Sequence, residues 1–382
     1  MRIRRIALVA IVGCVLAGCD SGGSASIEKQ LQQMTLQEKV GQMFVVRPEA
    51  LEPAAYYNSP QDLKALSLQA VNDRMRETAA KYPMGGIILF SNNIHNPEQL
   101  RSFVADIKAL PSNPLLYIDE EGGIVARLAN NNSFHLPKFP NMTQLAASGR
   151  TNEVTEAATA IGTYLKEYGF DIDLAPVADV NTNPRNIVIG ARAFSTDPKT
   201  AAVMVKAYLK GLQKTGVVGC LKHFPGHGDT TADSHFGYAM SRKNWDEIKN
   251  CEMIPFKAGI DAGAHLVMTA HISLPNVTGS NTPSTLSSMI MQDKLRGELG
   301  FEGVIISDAM EMGAIIRQYP VEDACVAAIK AGVDILLCVR EYPKVFDSVV
   351  AAVRRGEIPE SRIDESVRRI LKLRAATPSG KK

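Results

Sequence analysis

Cysteine and tryptophan are scarce in this sequence of 382 residues, which contains six cysteines and a single tryptophan. No two cysteines form a Cys-x-x-Cys pair, and the four beyond the N-terminal leader are dispersed through apolar surroundings. This spacing argues against a disulfide framework and against a zinc cluster. We therefore predict free thiols in the body of the protein and expect no metal site there. These four residues are Cys220, Cys251, Cys325 and Cys338.

The sequence also lacks the signatures of nucleotide binding and any surplus of one charge. No Gly-x-Gly-x-x-Gly run follows an apolar segment, and no P-loop pattern occurs. The formal net charge is +2, and Arg2, Arg4 and Arg5 lie in the leader, so 39 basic residues face 40 acidic ones without them. A nearly neutral body argues against nucleic acid as a partner. We expect no cofactor.

An apolar run long enough to anchor the chain across a bilayer is missing from the N-terminus as well. Three arginines within the first five residues are followed by an apolar segment, residues 6–15, and then by Leu16-Ala17-Gly18-Cys19. This order predicts a signal peptide over residues 1–18. Leu-Ala-Gly-Cys resembles the bacterial lipobox, which implies lipidation of Cys19 and a membrane-anchored protein of the cell envelope, facing the periplasm or the exterior. Plain secretion, with Cys19 incidental, is the alternative.

Short aliphatic runs alternate with helical stretches through the rest of the chain. Each run is mostly aliphatic, as parallel strands covered on both faces should be. Eight strands in such alternation predict an α/β fold, a TIM-type (β/α)8 barrel in one domain. The strand candidates are residues 43–46, 86–90, 115–118, 171–175, 218–222, 266–270, 304–307 and 334–338, with helices such as 97–109, 152–168, 198–215, 287–298 and 344–355 between or after them.

The ends of the barrel can be placed from local signals. Thr35 and Glu38 form a capping-box pattern that begins a helix. Asp364 is predicted to cap a last helix whose apolar residues recur at helical spacing. We therefore divide the chain into the signal peptide, a lipidated cysteine with a flexible Ser/Gly-rich tether (19–30), the barrel (31–375) and a polar tail (376–382).

Polar side chains follow five of the predicted strands. In a barrel of this type the functional face is the carboxyl end of the strands, so we expect these side chains to share one rim. The densest cluster runs from Lys222 to His235, where Gly226 and Gly228 set the direction of a loop that carries histidines and aspartates. The rim residues are Asp119, Glu120, Glu121, Asp179, Lys222, His223, His271, Ser307 and Asp308.

Several motifs together resemble glycoside hydrolase family 3, in particular its β-N-acetylhexosaminidases. Lys-His-Phe-Pro-Gly-His-Gly-Asp-Thr from Lys222 onward, with Asp-Ser-His closing the loop at His235, is similar to the family signature. Four further segments are similar to its other motifs, in the same order: Gly-Gly-Ile-Ile-Leu-Phe from Gly85, Asp119 with Glu-Gly-Gly from Glu121, Arg-Ala-Phe-Ser-x-Asp-Pro from Arg192 and Ser-Asp-Ala-Met from Ser307. The resemblance covers about residues 31–373.

The resemblance implies a role for each matching residue. Asp308 would be the nucleophile, and His235, paired with Asp233, would be the acid/base. The terminal sugar would be bound by Asp119, Arg127, Arg192, Lys222 and His223. These roles suit the residue types, because a carboxylate at a strand end has a fixed position and an imidazole exchanges protons near neutral pH. The implied activity is the release of terminal N-acetylglucosamine from peptidoglycan-derived fragments, without a cofactor and by a monomer.

The sequence departs from the family pattern in the loop after the third strand. The family motif more often reads Asp-Gln-Glu-Gly-Gly-Arg, and this sequence has Glu120 in place of the glutamine and Ile124 in place of the arginine. These differences suggest a different shape on the aglycone side. Ala309 stands where family β-glucosidases usually have tryptophan, and the small side chain leaves room for a 2-acetamido group.

Other functions remain open at this stage. The histidines and aspartates of the loop suggest a metal-dependent hydrolase, although no His-Glu-x-x-His motif occurs. A non-catalytic muropeptide-binding lipoprotein, a family 3 enzyme of other specificity and a glycoside phosphorylase are further alternatives. Substrate-assisted catalysis, in which Asp308 only orients the acetamido group, is another. An anhydromuropeptide, a chitin oligomer and a glycolipid are all compatible with the sequence as the natural substrate.

Overall fold

Eight parallel strands form a closed barrel in the computed structural model, which describes residues 21–52, 67–232 and 239–379. Each strand pairs with its neighbours along the chain, and the last pairs with the first. The predicted barrel is therefore confirmed, with every strand candidate in it. The strands are β1 Phe44–Val46, β2 Gly86–Ile88, β3 Leu115–Ile118, β4 Ile172–Asp173, β5 Val218–Phe224, β6 Leu266–Thr269, β7 Val304–Ala309 and β8 Ile335–Leu337.

Helices cover the outside of the barrel, so the strands are buried on both faces. The side chains of β1 are fully buried, as are most of the others. Each buried aliphatic side chain stabilises the fold by about 1.5–3 kcal/mol. The helices are Ser21–Gln33, Leu36–Gln42, Asp73–Lys81, Pro97–Lys108, Met142–Ala146, Thr151–Glu167, Pro198–Thr215, Trp245–Lys249, Met253–Asp261, Pro275–Thr278, the π-helix Met289–Glu298, Gly313–Ile316, Val321–Ala331, Tyr342–Arg354 and Glu360–Ala376.

Short segments complete the architecture. Two antiparallel hairpins stand beside the barrel, Glu120–Gly122 with Val125–Ala126 and Thr231–Ala232 with Ala239–Met240. Single 3-10 turns occur at Pro48–Leu51, Ser91–Asn93, Gly190–Arg192 and Ser284–Leu286. No helix within the described ranges has both the length and the apolar character needed to cross a bilayer.

The predicted tether is wrong where the structure describes it. Residues from Ser21 onward belong to the helix Ser21–Gln33 rather than to a flexible linker. Leu31 is buried in the core, and Glu28 forms an ion pair with Arg368, 3.0 Å between Oε2 and Nη2. These contacts hold the helix, which the Ser/Gly composition alone does not reveal. The leader, including Cys19, lies outside the described residues.

The predicted cap at Asp364 is also wrong, whereas the capping box at Thr35 and Glu38 is confirmed. The last helix begins at Glu360, directly after Pro359, so Asp364 lies within it. Its carboxylate pairs with Lys39 at 2.8 Å. Proline is suited to the position before a helix because its φ is already restricted, and that signal outweighs the aspartate.

The last helix lies across the amino ends of the strands and forms a floor beneath the barrel. Arg362 donates to the carbonyl of Val333, which precedes β8, at 3.0 Å. Arg374 donates to the carbonyl of Gly85, which precedes β2, at 3.1 Å. Beyond the helix, the amide of Ser379 donates to Asp171, which precedes β4, so the predicted polar tail is packed against the barrel as far as Ser379. The carboxyl rim is therefore at the opposite end of the barrel.

Candidate active site at the carboxyl rim

Lys222 is the centre of an ionic network at the rim. Its ammonium group donates to Asp119 Oδ1 at 2.8 Å and lies 2.6 Å from Glu121 Oε1. Arg127 contacts the other oxygen of Asp119 at 3.3 Å. Arg192 holds Glu121 in a bidentate pair, with distances of 2.9 and 2.7 Å. The structure thus brings together four residues that the sequence assigned to sugar binding, from β3, β5 and the segment after β4.

The electrostatics of this network keep its carboxylates ionised. Burial alone would raise the pKa of Asp119, but the charges of Lys222 and Arg127 outweigh it and lower that pKa to about 2. Burial likewise opposes ionisation of Glu121, and Lys222 and Arg192 reverse the effect, so its pKa is lowered. Fixed charges of both signs side by side can accept from and donate to sugar hydroxyl groups through charge-assisted hydrogen bonds.

His223 is held by a carboxylate that the sequence placed on the rim without a role. Asp179 Oδ2 lies 2.7 Å from His223 Nδ1, and its Oδ1 accepts the backbone N–H of His227 at 2.6 Å. Burial would raise the pKa of Asp179, yet the two histidines lower it. An ionised Asp179 fixes the proton on Nδ1 of His223, so Nε2 is the nitrogen left for a ligand.

Glycine is required in the loop that follows β5. Gly226 has a φ of 115°, in the left-handed region, and a Cβ there would lie 2.4 Å from Glu252 Cγ. A Cβ on Gly228 would lie 1.9 Å from the carbonyl oxygen of Val180. The loop therefore packs directly against the segment after β4, and larger residues would displace it.

Asp308 lies near the end of β7, and its side chain is only partly buried. The backbone N–H of Ala309 donates to its Oδ1 at 2.7 Å. Burial lowers the pKa of both His227 and His271, and the negative charge of Asp308 opposes that shift in each. The carboxylate therefore lies among the rim residues and not in the packed interior.

Two of the assigned residues, Asp233 and His235, lie outside the described residues. The described hairpin on either side of them is held at Asp229, which accepts from Thr182 at 3.1 Å and from Ser241 at 2.7 Å. In the part of the chain that the structure describes, no cluster of three histidine, cysteine or acidic side chains is arranged to hold a metal ion.

The sequence placed both Glu120 and Glu121 on the rim and gave Glu121 no role in sugar binding. Glu120 is fully buried and accepts from the backbone of Leu128 and Ala129 and from Tyr164, each at 2.9 Å, so it shapes the loop from behind. Successive side chains of an extended segment point to opposite sides, so Asp119 and Glu121, which are two residues apart, share a side. This rule would have distinguished Glu121 from Glu120 in the sequence. Ile124, by contrast, is 66% exposed.

Comparisons with known proteins match most of the chain. The model of the glycosyl hydrolase family 3 N-terminal domain matches residues 35–373. The β-hexosaminidase LpqI of Mycobacterium tuberculosis is 32% identical over 98% of both chains. The β-hexosaminidase A of Pseudoalteromonas piscicida is also 32% identical, over 80% of this chain, which spans 55% of that relative's length.

Two solved structures are similar in fold and sequence. The family 3 β-N-acetylglucosaminidase of Paenibacillus sp. FPU-7 superposes with a TM-score of 0.79 at 35% identity, covering 90% of this chain and 62% of that one. The M. tuberculosis LpqI structure superposes with a TM-score of 0.74 at 29% identity, covering 92% of this chain and 96% of that one.

Proposed function

Because this chain belongs to glycosyl hydrolase family 3, we propose that it is an exo-acting, retaining β-N-acetylhexosaminidase. Its substrate would be terminal β-linked N-acetylglucosamine on peptidoglycan-derived fragments. The observation that carries the proposal is the partly exposed carboxylate of Asp308 on the same rim as the network around Lys222. Relatives named β-hexosaminidase, one of them matched over nearly its whole length, support the choice of sugar.

The proposed reaction proceeds in two steps at the anomeric carbon. Asp308 attacks that carbon, the glycosidic C–O bond breaks, and protonated His235 gives its proton to the leaving oxygen. Water then attacks the glycosyl ester, neutral His235 takes a proton from it, and the carboxylate of Asp308 leaves. Asp233 would orient His235 by binding its other ring nitrogen. Two inversions return the sugar in its original β configuration.

The network around Lys222 would hold the terminal sugar for this attack. Asp119 and Glu121 accept hydroxyl protons, while Arg127, Arg192 and Lys222 donate, so one ring can satisfy several fixed partners. Ala309, beside the nucleophile, is partly exposed and has only a methyl side chain, which leaves space for the acetamido group. All these groups come from one chain, so a monomer suffices for the site.

We expect the purified protein to hydrolyse an aryl β-N-acetylglucosaminide with a kcat/KM at least about 100-fold above that for the matched aryl β-glucoside. The reason is that a site built for the acetamido group leaves polar partners unsatisfied by a plain hydroxyl. Initial rates on the two substrates, which share one leaving group, measure this ratio directly. Equal rates would instead indicate another specificity within the family.

Two additions to that assay separate the remaining alternatives. Added phosphate should leave free N-acetylglucosamine as the product, whereas accumulation of its 1-phosphate would identify a phosphorylase. A time course with a purified muropeptide should release the same sugar. Absence of release from the muropeptide, with activity on the aryl substrate retained, would remove peptidoglycan fragments from the proposal.

We also propose that the protein is a cell-envelope lipoprotein, anchored through Cys19. The leader pattern that ends in Leu16-Ala17-Gly18-Cys19 supports this proposal. Cys19→Ala is expected to move the activity from the membrane fraction to the soluble fraction, with kcat/KM unchanged, because the substitution lies outside the barrel. Cys14→Ala, in the apolar part of the leader, is the matched control and should leave the activity in the membrane fraction. Unchanged partitioning of Cys19→Ala would contradict the anchor.

A further inference from the structure

Strand β7 contains an extra residue immediately before its end. On one side it pairs regularly with β6, from Leu266 opposite Val304 to Thr269 opposite Ser307. On the other side the register with β8 shifts, because Ile306 lies opposite Ile335 but Ala309 lies opposite Leu337. Three steps along β7 therefore match two along β8. Such a bulge bends the strand and redirects a side chain, and this one contains Ser307 and Asp308.

Side-chain hydrogen bonds from both sides of β7 hold the bulge. The amide of Leu337, in β8, donates to the hydroxyl of Ser307 at 3.0 Å. On the β6 side the regular pairing ends at Ser307, and the ring of His271 continues it by donating from Nε2 to the carbonyl of Ala309 at 3.0 Å. The amide of Met310 then donates to the carbonyl of Leu337 at 2.8 Å. The peptide group after Ala309 is thus held on one side by the segment that follows β6 and on the other by β8.

The protonation of His271 follows from its two partners. The carbonyl of Ala309 can only accept, so Nε2 of His271 must hold a proton. Burial lowers the pKa of His271, which favours the neutral ring. The hydroxyl of Thr285 lies 2.9 Å from Nδ1 and 3.0 Å from the carbonyl of Ala270, and its single proton is available to one of these two acceptors. The ring is 3% exposed and both of its nitrogens are engaged within the protein. His271 therefore acts on the site through Ala309 and does not bind substrate itself.

We propose that His271 and Ser307 are positioning residues, which hold the bulge in β7 so that the carboxylate of Asp308 meets the anomeric carbon in line. This inference rests on the proposed function, in which Asp308 is the nucleophile. The amide of Ala309 engages Oδ1, so we assign bond formation with the sugar to Oδ2. The two contacts engage the residues on either side of Asp308, Ser307 and Ala309, one from each side of the strand.

Loss of either contact should affect turnover much more than sugar binding. A displacement of the nucleophile by about 1 Å can reduce the rate by about 100-fold. The sugar-binding network around Lys222 contains neither His271 nor Ser307, so affinity for the product should be preserved. A purely structural role would predict the opposite pattern, in which affinity, turnover and the thermal midpoint decline together.

The test uses His271→Leu, His271→Gln and Ser307→Ala in the full chain. Glutamine can place its amide N–H where Nε2 of histidine lies and so restore the bond to Ala309, whereas leucine cannot. We expect kcat to fall by about 30–100-fold in His271→Leu and about 10-fold in Ser307→Ala, with the inhibition constant of N-acetylglucosamine within about twofold of wild type. His271→Gln should recover most of kcat.

The outcomes separate this inference from the function on which it rests. Wild-type kcat in both His271→Leu and Ser307→Ala would overturn the positioning role, as would parallel losses of kcat and of product affinity. If His271→Leu does not fold, Ser307→Ala, which removes only one hydroxyl, decides the matter. Asp308→Ala is assayed alongside, because full activity in that variant would remove the proposed function itself, whereas an inactive Asp308→Ala with unaffected positioning variants would reject this inference alone.

Discussion

Replacing Asp308 by alanine is expected to lower kcat on an aryl β-N-acetylglucosaminide by about 10⁴-fold or more, the scale seen when a catalytic nucleophile is removed. The physical reason is that no other described carboxylate replaces it at the end of β7, where its side chain is partly exposed. The sugar-binding groups remain in place, so the inhibition constant of N-acetylglucosamine should change little. Steady-state kinetics and product inhibition measure both quantities.

A matched contrast to that variant is His235→Ala. Loss of a proton donor matters least for leaving groups that depart readily, so His235→Ala should retain much more activity on activated aryl substrates than on a muropeptide. Equal losses on both substrates would count against the acid role. Comparable activity of Asp308→Ala and the wild type would contradict the nucleophile.

Substrate-assisted catalysis makes a different prediction for the same residue. A fluorinated N-acetylglucosaminyl donor that slows the second step should leave a sugar attached to the peptide containing Asp308, which mass spectrometry of a digest detects. If the acetamido group acts as the nucleophile, that peptide remains unmodified although the enzyme is still inhibited. The experiment therefore distinguishes a carboxylate that forms a bond from one that only orients the amide.

The second large effect is expected for Lys222→Met, which removes the buried cation between Asp119 and Glu121. Lys222 has only 2% of its side chain exposed, and both carboxylates lie within 2.8 Å of it. Leaving a buried charge without its partner typically costs about 3–5 kcal/mol of unfolding free energy. The substitution also removes the two charged contacts that Lys222 makes with Asp119 and Glu121 in the sugar-binding network, which should lower kcat/KM by about 100-fold or more. Urea denaturation and kinetics measure these effects.

The loss of unfolding free energy in Lys222→Met should depend on pH in a definite direction. In the wild type the folded pKa of Asp119 is lowered to about 2, so its contribution to stability is present at neutral pH and is lost as the pH falls toward that value. Without Lys222 the buried carboxylate binds its proton more tightly, so ionisation on going to neutral pH opposes folding. The difference in unfolding free energy between variant and wild type should therefore be larger at pH 7 than at pH 4.

Lys39→Met is the control for the loss of a lysine between two carboxylates. Lys39 contacts Glu360 at 3.0 Å and Asp364 at 2.8 Å with 10% of its side chain exposed, but it lies near the floor of the barrel. The Lys39→Met variant should lose unfolding free energy and keep the kcat/KM of the wild type. Wild-type stability and kcat/KM in Lys222→Met would contradict the role assigned to the network.

The barrel was predictable because its strands are buried on both faces. Such strands read as uninterrupted aliphatic runs, and each of the eight runs interpreted in this way contains a strand. The rule that polar residues after parallel strands meet at one edge placed Asp119 and Lys222 on the same rim. The family resemblance added Arg127 and Arg192, and the structure joins all four in one network. The bounds differed by a few residues, for example at β4, where only Ile172–Asp173 is strand.

The partners within the site could not be predicted, because they depend on contacts between distant parts of the chain. Asp179 and His223 are 44 residues apart, and Glu121 and Arg192 are 71 apart. The bulge that presents Asp308 is defined by the register against β8, which no local pattern in Ser307-Asp308-Ala309 encodes. The helix Ser21–Gln33 escaped prediction for the same reason, since Arg368 and the core hold it.

The helix beneath the barrel also sets the direction in which the enzyme would face. Because Glu28 pairs with Arg368 of that helix, the N-terminal segment runs along the underside of the protein, and Ser21 is two residues from the proposed acylation position. An acyl chain there would turn the underside toward the lipid headgroups and the sugar-binding mouth outward. Diffusing fragments would then reach the mouth freely, whereas glycans lying flat on the bilayer surface would be sterically disfavoured.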